Sequence, residues 1–187
     1  MSFFEPLRDF FHRRAAKTLN DASARVHLVN RRQESPRGNF VFPGTDYLDD
    51  IEVAGLRVGQ VDYGINPLGD RLYINKIEID RAKQGQGIGL GVLWHLWLTH
   101  QVPIVPLYQF AASDGFWDRA RRRFAAAGAV LEDELRGDDQ MALEQQRWQH
   151  LVPEPEHERL IRELKASPEW PAIKARMEAE YGICPED

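Results

Sequence analysis

The order of hydrophobic patterns places this 187-residue chain in the α+β (mixed α/β) class, a domain of strands and helices that ends in a helical C-terminal extension. Three observations carry that expectation. Residues 51 to 80 alternate apolar and polar side chains in consecutive short runs, which is the period of strands. They lead into four alternating glycines, at 85, 87, 89 and 91, which open an apolar helical run. From Pro153 onward the spacing is helical throughout.

Taken in order, Phe3 to Leu19 sets Phe3, Leu7, Phe10 and Phe11 at helical spacing, with Arg8, Arg13, Arg14 and Lys17 between and after them. This reads as an amphipathic helix started near Pro6, its stripe docking on the core rather than on a membrane. Ala24–Asn30 alternates and is expected as a strand. Arg31–Asp50 carries Pro36, Gly38, Pro43 and Gly44 and is expected as loop, with a short extended piece at 39–42. Ile51–Val53 and Leu56–Ile65 flank Ala54-Gly55 and read as a hairpin, and residues 66–70 (NPLGD) as a turn. Leu72–Asp80 is a strand with a phase slip, because Leu72 and Ile74 are even-numbered while Ile77 and Ile79 are odd-numbered. Both pairs share one face only if a residue is inserted between them, a β-bulge near Asn75-Lys76. Leu90–His100 is a helix, Val102–Phe110 a buried strand limited by Pro103 and Pro106, and Asp114–Gly128 a helix with Asp114 as N-cap and Gly128 as stop. Val130–Leu135 and Met141–Glu144, around Arg136-Gly137-Asp138, are expected to close a final hairpin. In the extension, Ser167-Pro168 restarts a second helix with a stripe of Trp170, Ile173, Met177 and Tyr181.

Composition narrows the function classes. Apolar residues at 43% and charged residues at 28% suit a folded soluble domain, not a disordered chain. The longest apolar run, Ile88–Leu98, contains His95 and is too short for a membrane span. The first residues do not read as a secretory signal, so a cytoplasmic location is expected. The single cysteine, Cys184, excludes an internal disulfide framework and a cysteine metal cluster. A net charge of −5 argues against nucleic acid as the default partner.

The glycine-rich turn carries the chemistry. Glycines let backbone N–H groups approach an anion, and the following helix adds its positive end. A P-loop would need Gly-Lys-Ser/Thr, but Gly89 is followed by Leu90 and Gly91. A dinucleotide fingerprint would need glycine at 90 or 92, where Leu90 and Val92 stand. What fits is Gln84-Gly85-Gln86-Gly87-Ile88-Gly89, the pattern Q/R-x-x-G-x-G/A. The stretch resembles the acyl-CoA pyrophosphate loop of the GNAT superfamily, the Gcn-related N-acetyltransferases. The bulged strand before it resembles the family's fourth strand. GLRVGQVDYGI with Gly59 is similar to the family hairpin, and Gly115-Phe116-Trp117 to its Phe-Tyr helix start. The resemblance covers residues 24 to 144. Its structural alternative is a helix start that only packs tightly on a strand.

The resemblance implies a central mixed, mostly antiparallel sheet with a bulged strand, spanning residues 1–150, with 151–187 packed on the same domain. It implies acetyl-CoA as acyl donor, no metal, and direct transfer to an amine acceptor in a ternary complex. The backbone of Gln84, Gly85, Gln86, Gly87, Ile88 and Gly89 would hold the pyrophosphate, and Lys83 a phosphate. The backbone at Ile77 and Ile79 would pair with the pantetheine arm and polarise the thioester carbonyl, in a V between this strand and Val102–Phe110. An amine of pKa near ~10 must lose a proton, to Glu78 or to water. The departing thiolate usually finds a tyrosine where this chain has Trp117, so Tyr108 and Ser113 are the replacements. The two helices that family members place between their first two strands have no counterpart at residues 31–50, which leaves the acceptor wall undefined.

Three further readings stay open. Arg119, Arg121, Arg122 and Arg123 form a solvated helix face, or touch a CoA phosphate, or dock RNA or protein for a modifying acetyltransferase. Trp117 in place of tyrosine suits a non-catalytic acyl-CoA-binding module. The Trp170–Tyr181 stripe packs on its own domain or makes a homodimer. His95 and His100, five apart, do not share a helical face and are not read as metal ligands.

Overall fold

A helix of 19 residues, α1 (Glu5–Ser23), precedes the first strand. The computed structural model describes residues 5–35, 44–110 and 113–182, so the extended piece expected at 39–42 and Cys184 lie outside the described residues. α1 docks through its second half. Leu19 and Ala22 are buried, whereas Phe10 and Phe11 are 59% and 60% exposed and are not the docking face. Small residues set that contact: a Cβ on Gly91 would lie 2.7 Å from the Ala22 carbonyl oxygen, so only glycine lets the two helices approach this closely. Trp94 Nε1 donates to Asn20 Oδ1 at 2.7 Å across the same seam.

The first strand, β1 (His27–Glu34), starts later than Ala24, because the end of α1 claims the intervening amides, Ala24 N to Asn20 O and Val26 N to Ser23 O. β2 (Thr45–Val53) likewise occupies part of the stretch expected as loop. Both strands lack apolar alternation because their pairing is backed by charge: Arg31 and Arg57 meet Asp50, and Arg32 meets Asp46. β3 (Leu56–Ile65) follows β2 through the expected two-residue hairpin, with Ala54 and Gly55 at positive φ of 52° and 75°.

β4 (Leu72–Ile79) carries the bulge that the phase slip predicts. Tyr63 opposes Ile74 and Asp62 opposes Lys76, so Asn75 is the extra residue. α2 (Ile88–His100) crosses to β5 (Ile104–Pro106), which runs parallel to β4. β5 is three residues long, not the nine expected. Pro106 has no N–H, and after a last bond from Leu107 N to Ile74 O the chain parts from β4, while Leu107 bridges Leu135 on its other side.

The sheet is open, mostly antiparallel, in the order β1-β2-β3-β4-β5. α1, α2 and α3 (Asp114–Ala126) share one core with it, around Val61, Tyr63, Ile74, Leu93 and Phe124. Ser113, not Asp114, stands at the N-cap of α3, and Gly128 at φ 79° ends the run. The hairpin expected at 130–144 is absent: residues 131 and 135 make isolated parallel bridges, and α4 (Asp138–Trp148) replaces its second strand. Gln140 Oε1 accepts from the N–H of Arg136 and of Gly137 at 3.2 Å each, and Asp138 and Asp139 face the helix dipole, which together start a helix there. Met141 of α4 packs with Tyr73, Val105, Leu107 and Leu135 on the other face of the sheet.

The chain divides into two compact units, Met1–Val152 and Pro153–Asp187. The second holds α5 (Glu156–Ala166) and α6 (Trp170–Tyr181). α6 starts after Ser167-Pro168 rather than on it, with Glu169 at its N-cap and Pro171 in its first turn, where a missing N–H breaks no helical bond.

Candidate functional site

β4 and β5 pair only from Leu72↔Ile104 to Ile74↔Pro106, and one further bond, Leu107 N to Ile74 O at 2.9 Å, ends the contact. The bulge follows at once on β4. On the other strand Tyr108 adopts φ 50°, a left-handed conformation that is strained for a tyrosine. The strands therefore diverge and leave a cleft of about 670 Å³. Residues 75–79 of β4 form one wall and 107–110 the other; Phe116, Trp117 and Ala120 of α3 contribute to the lining, and the glycine turn closes one end.

The ladder decides which backbone groups face this cleft. Asp80 donates to Val58 O, and the register Gln60↔Glu78 and Asp62↔Lys76 keeps the same parity, so these residues point their amides at β3. By the same alternation Ile77 and Ile79 turn their N–H and C=O groups to the cleft, while their side chains pack against the core. The Ile79 carbonyl is taken by Gln84 Nε2 at 2.9 Å, which ties the turn to the strand.

After a short helical turn at Arg81–Lys83, Gly85 and Gly87 both take positive φ, 77° and 79°, and Gly87 is the N-cap of α2. The first bond of that helix is Gly91 N to Gly87 O, so the N–H groups of Ile88, Gly89 and Leu90 have no partner within the helix. All three residues line the cleft. The glycines thus divide their roles. Gly85 and Gly87 allow the turn, with no neighbour nearer than 3.8 Å to an added Cβ, whereas Gly91 allows helix packing.

Cations gather at this end. Lys83 and Arg119 line the cleft. Arg25, from the α1–β1 link, reaches over the turn and donates through Nη2 to Gln86 O at 3.5 Å. None of the three meets a carboxylate among the described residues, whereas Arg57, Arg71 and Arg147 all do. Arg121 is tied to Asp118 and Asp133, which splits the arginine run and leaves Arg119, Arg122 and Arg123 exposed.

The acid–base candidates separate by their partners. Glu78 borders the cleft but is solvent-exposed, 2.9 Å from Lys76 Nζ and 3.2 Å from Gln60 Nε2. The Lys76 ammonium holds its carboxyl below the ordinary carboxylate range, which weakens it as a base. Ser113 Oγ donates to Phe110 O at 2.7 Å, so its proton is engaged. Tyr108 lines the cleft, is 53% exposed, and its hydroxyl has no partner among the described residues. Trp117 is buried, edge-on to Phe116. Beneath the sheet's other end, Asp49 accepts from Tyr63 Oη at 3.1 Å and Asn30 Nδ2 at 2.7 Å, a satisfied network that burial and the Asp49 charge keep protonated at Tyr63. Among the described residues no group of three His, Cys, Asp or Glu side chains could hold a metal ion.

Sequence reasoning missed two residues of this site. Arg25 sits 61 positions from the turn it covers, and nothing local marks that contact. Gln109 is a polar residue beside the apolar run at 104–107, yet it is buried in the cleft wall, a placement that only the tertiary fold reveals. Comparison with known proteins finds no match: no family model, no curated protein and no solved structure matches this chain.

Proposed function

We propose that the chain is an acyl-CoA-dependent N-acyltransferase of GNAT type that transfers acetyl from acetyl-CoA to an amine by direct attack in a ternary complex. The observation that carries the reading is the splayed strand pair, which joins a glycine turn rich in free N–H groups to a bulge by one open strand edge. Lengths support it. From Ile79 to Asn75 the strand runs four residues, about 13 Å at ~3.3 Å per residue. A pantetheine arm has about twelve bonds between phosphate ester and sulfur, the reach of roughly four residues of extended chain. A pyrophosphate at the turn, beyond Ile79, would therefore bring its thioester to the stretch of strand between Ile77 and the bulge.

In that pose the amine nitrogen attacks the thioester carbon, the C–N bond forms, and the carbonyl electron pair moves to oxygen. The cleft-facing amide of Ile77 is the backbone donor for that oxygen. Collapse breaks the C–S bond, the nitrogen gives its proton to water, the thiolate takes one from Tyr108, and the tyrosinate so formed regains a proton from solvent water. The acyl acceptor stands as an amine of unspecified identity. A second reading, an acyl-CoA-binding module without turnover, draws on two facts: Trp117 is buried and Glu78 is neutralised by Lys76.

Titration calorimetry of acetyl-CoA tests the donor site. The wild-type protein binds in the micromolar range, Gly87→Ala keeps most of that affinity, and Gly87→Glu abolishes it through charge and bulk. The alanine variant separates the strain of a side chain at φ 79° from repulsion. A folded wild-type protein that binds no acetyl-CoA overturns the proposal; binding without acetyl transfer to any amine selects the second reading.

A further inference from the structure

The cations of this protein fall into two sets. Every arginine of β1, β3 and α4 meets a carboxylate: Arg31 and Arg57 at Asp50, Arg32 at Asp46, and Arg147 at Asp70 and Glu144. On α1 and α3 the pattern is reversed. Arg13, Arg14 and Lys17 of α1, and Arg122 and Arg123 of α3, are exposed and meet no carboxylate among the described residues. None of these five lines the cleft. Asp21 is the one carboxylate among the described side chains of α1.

The two helices lie side by side and antiparallel. His12, in the first half of α1, abuts Gly128 just past the end of α3, where an added Cβ would lie 2.9 Å from its Nδ1. At the opposite end Arg25, just past α1, reaches the glycine turn, and Phe116, in the first turn of α3, stands 3.1 Å from an added Cβ on Gly89. Leu19 of α1 and Ala120 and Phe124 of α3 are buried in one core, so the outer faces of the two helices form one surface. On a chain of net charge −5 that surface is a local excess of positive charge, which steers an anionic partner to it. Four of the five cations are arginines, whose planar fork matches a phosphate. Beside them Phe10 and Phe11 are exposed, their rings 5.7 Å apart and edge-to-face. Phe10 precedes Arg13 and Arg14 by three and four positions and so shares their side of the helix. Exposed rings among phosphate-binding cations are a platform on which nucleic-acid bases stack. A bilayer fits this helix less well. Beyond the two rings its exposed residues are Arg13, Arg14, Lys17, Thr18, Asn20 and Asp21, which offer no apolar face to insert.

We infer that the outer face of α1 and α3 binds single-stranded nucleic acid, with the five cations at phosphates and Phe10 under a base. The inference goes beyond the acyl-CoA reading and uses no part of the cleft.

Fluorescence anisotropy with a labelled oligouridylate of about 20 nucleotides tests it, alongside the duplex of the same strand and phosphatidylserine vesicles. The wild-type protein binds the single strand, and its affinity falls about 50- to 130-fold between 50 and 200 mM salt, as four or five phosphate contacts require. Arg13→Gln/Arg14→Gln/Lys17→Gln lowers the slope of log affinity against log salt by about two. Phe10→Ala raises the dissociation constant at least about fivefold and leaves that slope unchanged. Arg122→Glu, on the other helix, also weakens binding, so the outcome does not hang on changes to α1; circular dichroism confirms that each variant is folded. The inference is overturned by a folded wild type that does not bind the strand at 50 mM salt, by equal or tighter binding of the duplex, by binding to the vesicles in place of the strand, or by folded variants that bind as wild type does. Acetyl-CoA affinity is measured separately and stands whichever result is found.

Discussion

At the scale of single residues, the cleft holds a proton donor but no strong base. Glu78 is held acidic by Lys76, so in the transfer proposed above direct removal of a proton from an ammonium ion would be uphill, and an amine acceptor would react as its neutral fraction or pass its proton to water. The expected pH profile of kcat/KM therefore climbs toward the acceptor's own pKa, and Glu78→Gln changes the rate less than about tenfold. A plateau setting in near neutral pH would reveal a protein base and contradict this account. On the proposed transfer, Tyr108→Phe is expected to lower kcat by about 10- to 100-fold, with a smaller effect on KM, because there its proton would be needed only as the thiolate leaves; equal kcat in the two proteins would remove Tyr108 from the proposed mechanism. Glu78 was visible in the sequence as a carboxylate in the right strand. Its pairing with Lys76, two positions away on the same face, followed from the strand period as well, whereas the bond from Gln60 needed the β3 register.

At the scale of elements, Asn75 is the residue on which the cleft depends. Deleting it leaves Leu72, Ile74, Ile77 and Ile79 in unbroken alternation on the core face, so the strand keeps both its register and its packing. The deletion variant should melt within a few degrees of wild type and lose at least about tenfold in acetyl-CoA affinity, since the bend that separates β4 from β5 goes with the bulge. Retained affinity in a folded variant would mean that Pro106 and Tyr108 open the cleft unaided. The bulge was legible from four isoleucine and leucine positions because a period of two leaves no other solution. β1 and β2 were legible only at one end each, residues 27–30 within the strand expected at Ala24–Asn30 and Ile51–Val53 of the hairpin, for the opposite reason: Arg31, Arg32, Asp46 and Asp50 occupy strand positions through cross-strand ion pairs, and charged residues admitted in this way, Asp46 and Asp50 even in buried positions, carry no apolar period-two signal. The mistaken hairpin at 130–144 had a local cause, since Met141 and Glu144 belong to a helix whose start depends on Gln140 reaching back to two amides.

For the whole molecule, acidity should act through α2. Burial lowers the affinity of His95 and His100 for protons, and the Asp49 charge opposes that in part. The unfolded chain then binds protons more readily than the folded one, so stability is fully present above about pH 6.5 and declines as the pH falls below it. Urea denaturation at pH 7.5 and 5.5 should show a lower midpoint at the acidic pH, and the His95→Asn/His100→Asn protein a smaller difference; an unchanged difference would assign the loss to other groups. The same open sheet has a consequence apart from the cleft. An unpaired strand at the border of a sheet is a template on which another copy can add, and β1 is such a border among the described residues. Its exposed Arg31 and Arg32, and the irregular step that sets Arg31 out of register between Asn30 and Arg32, make that border both charged and crooked. A neighbouring copy would find no straight ladder to extend, so the polar second half of β1, which carries no apolar alternation, also guards this border against edge-to-edge aggregation.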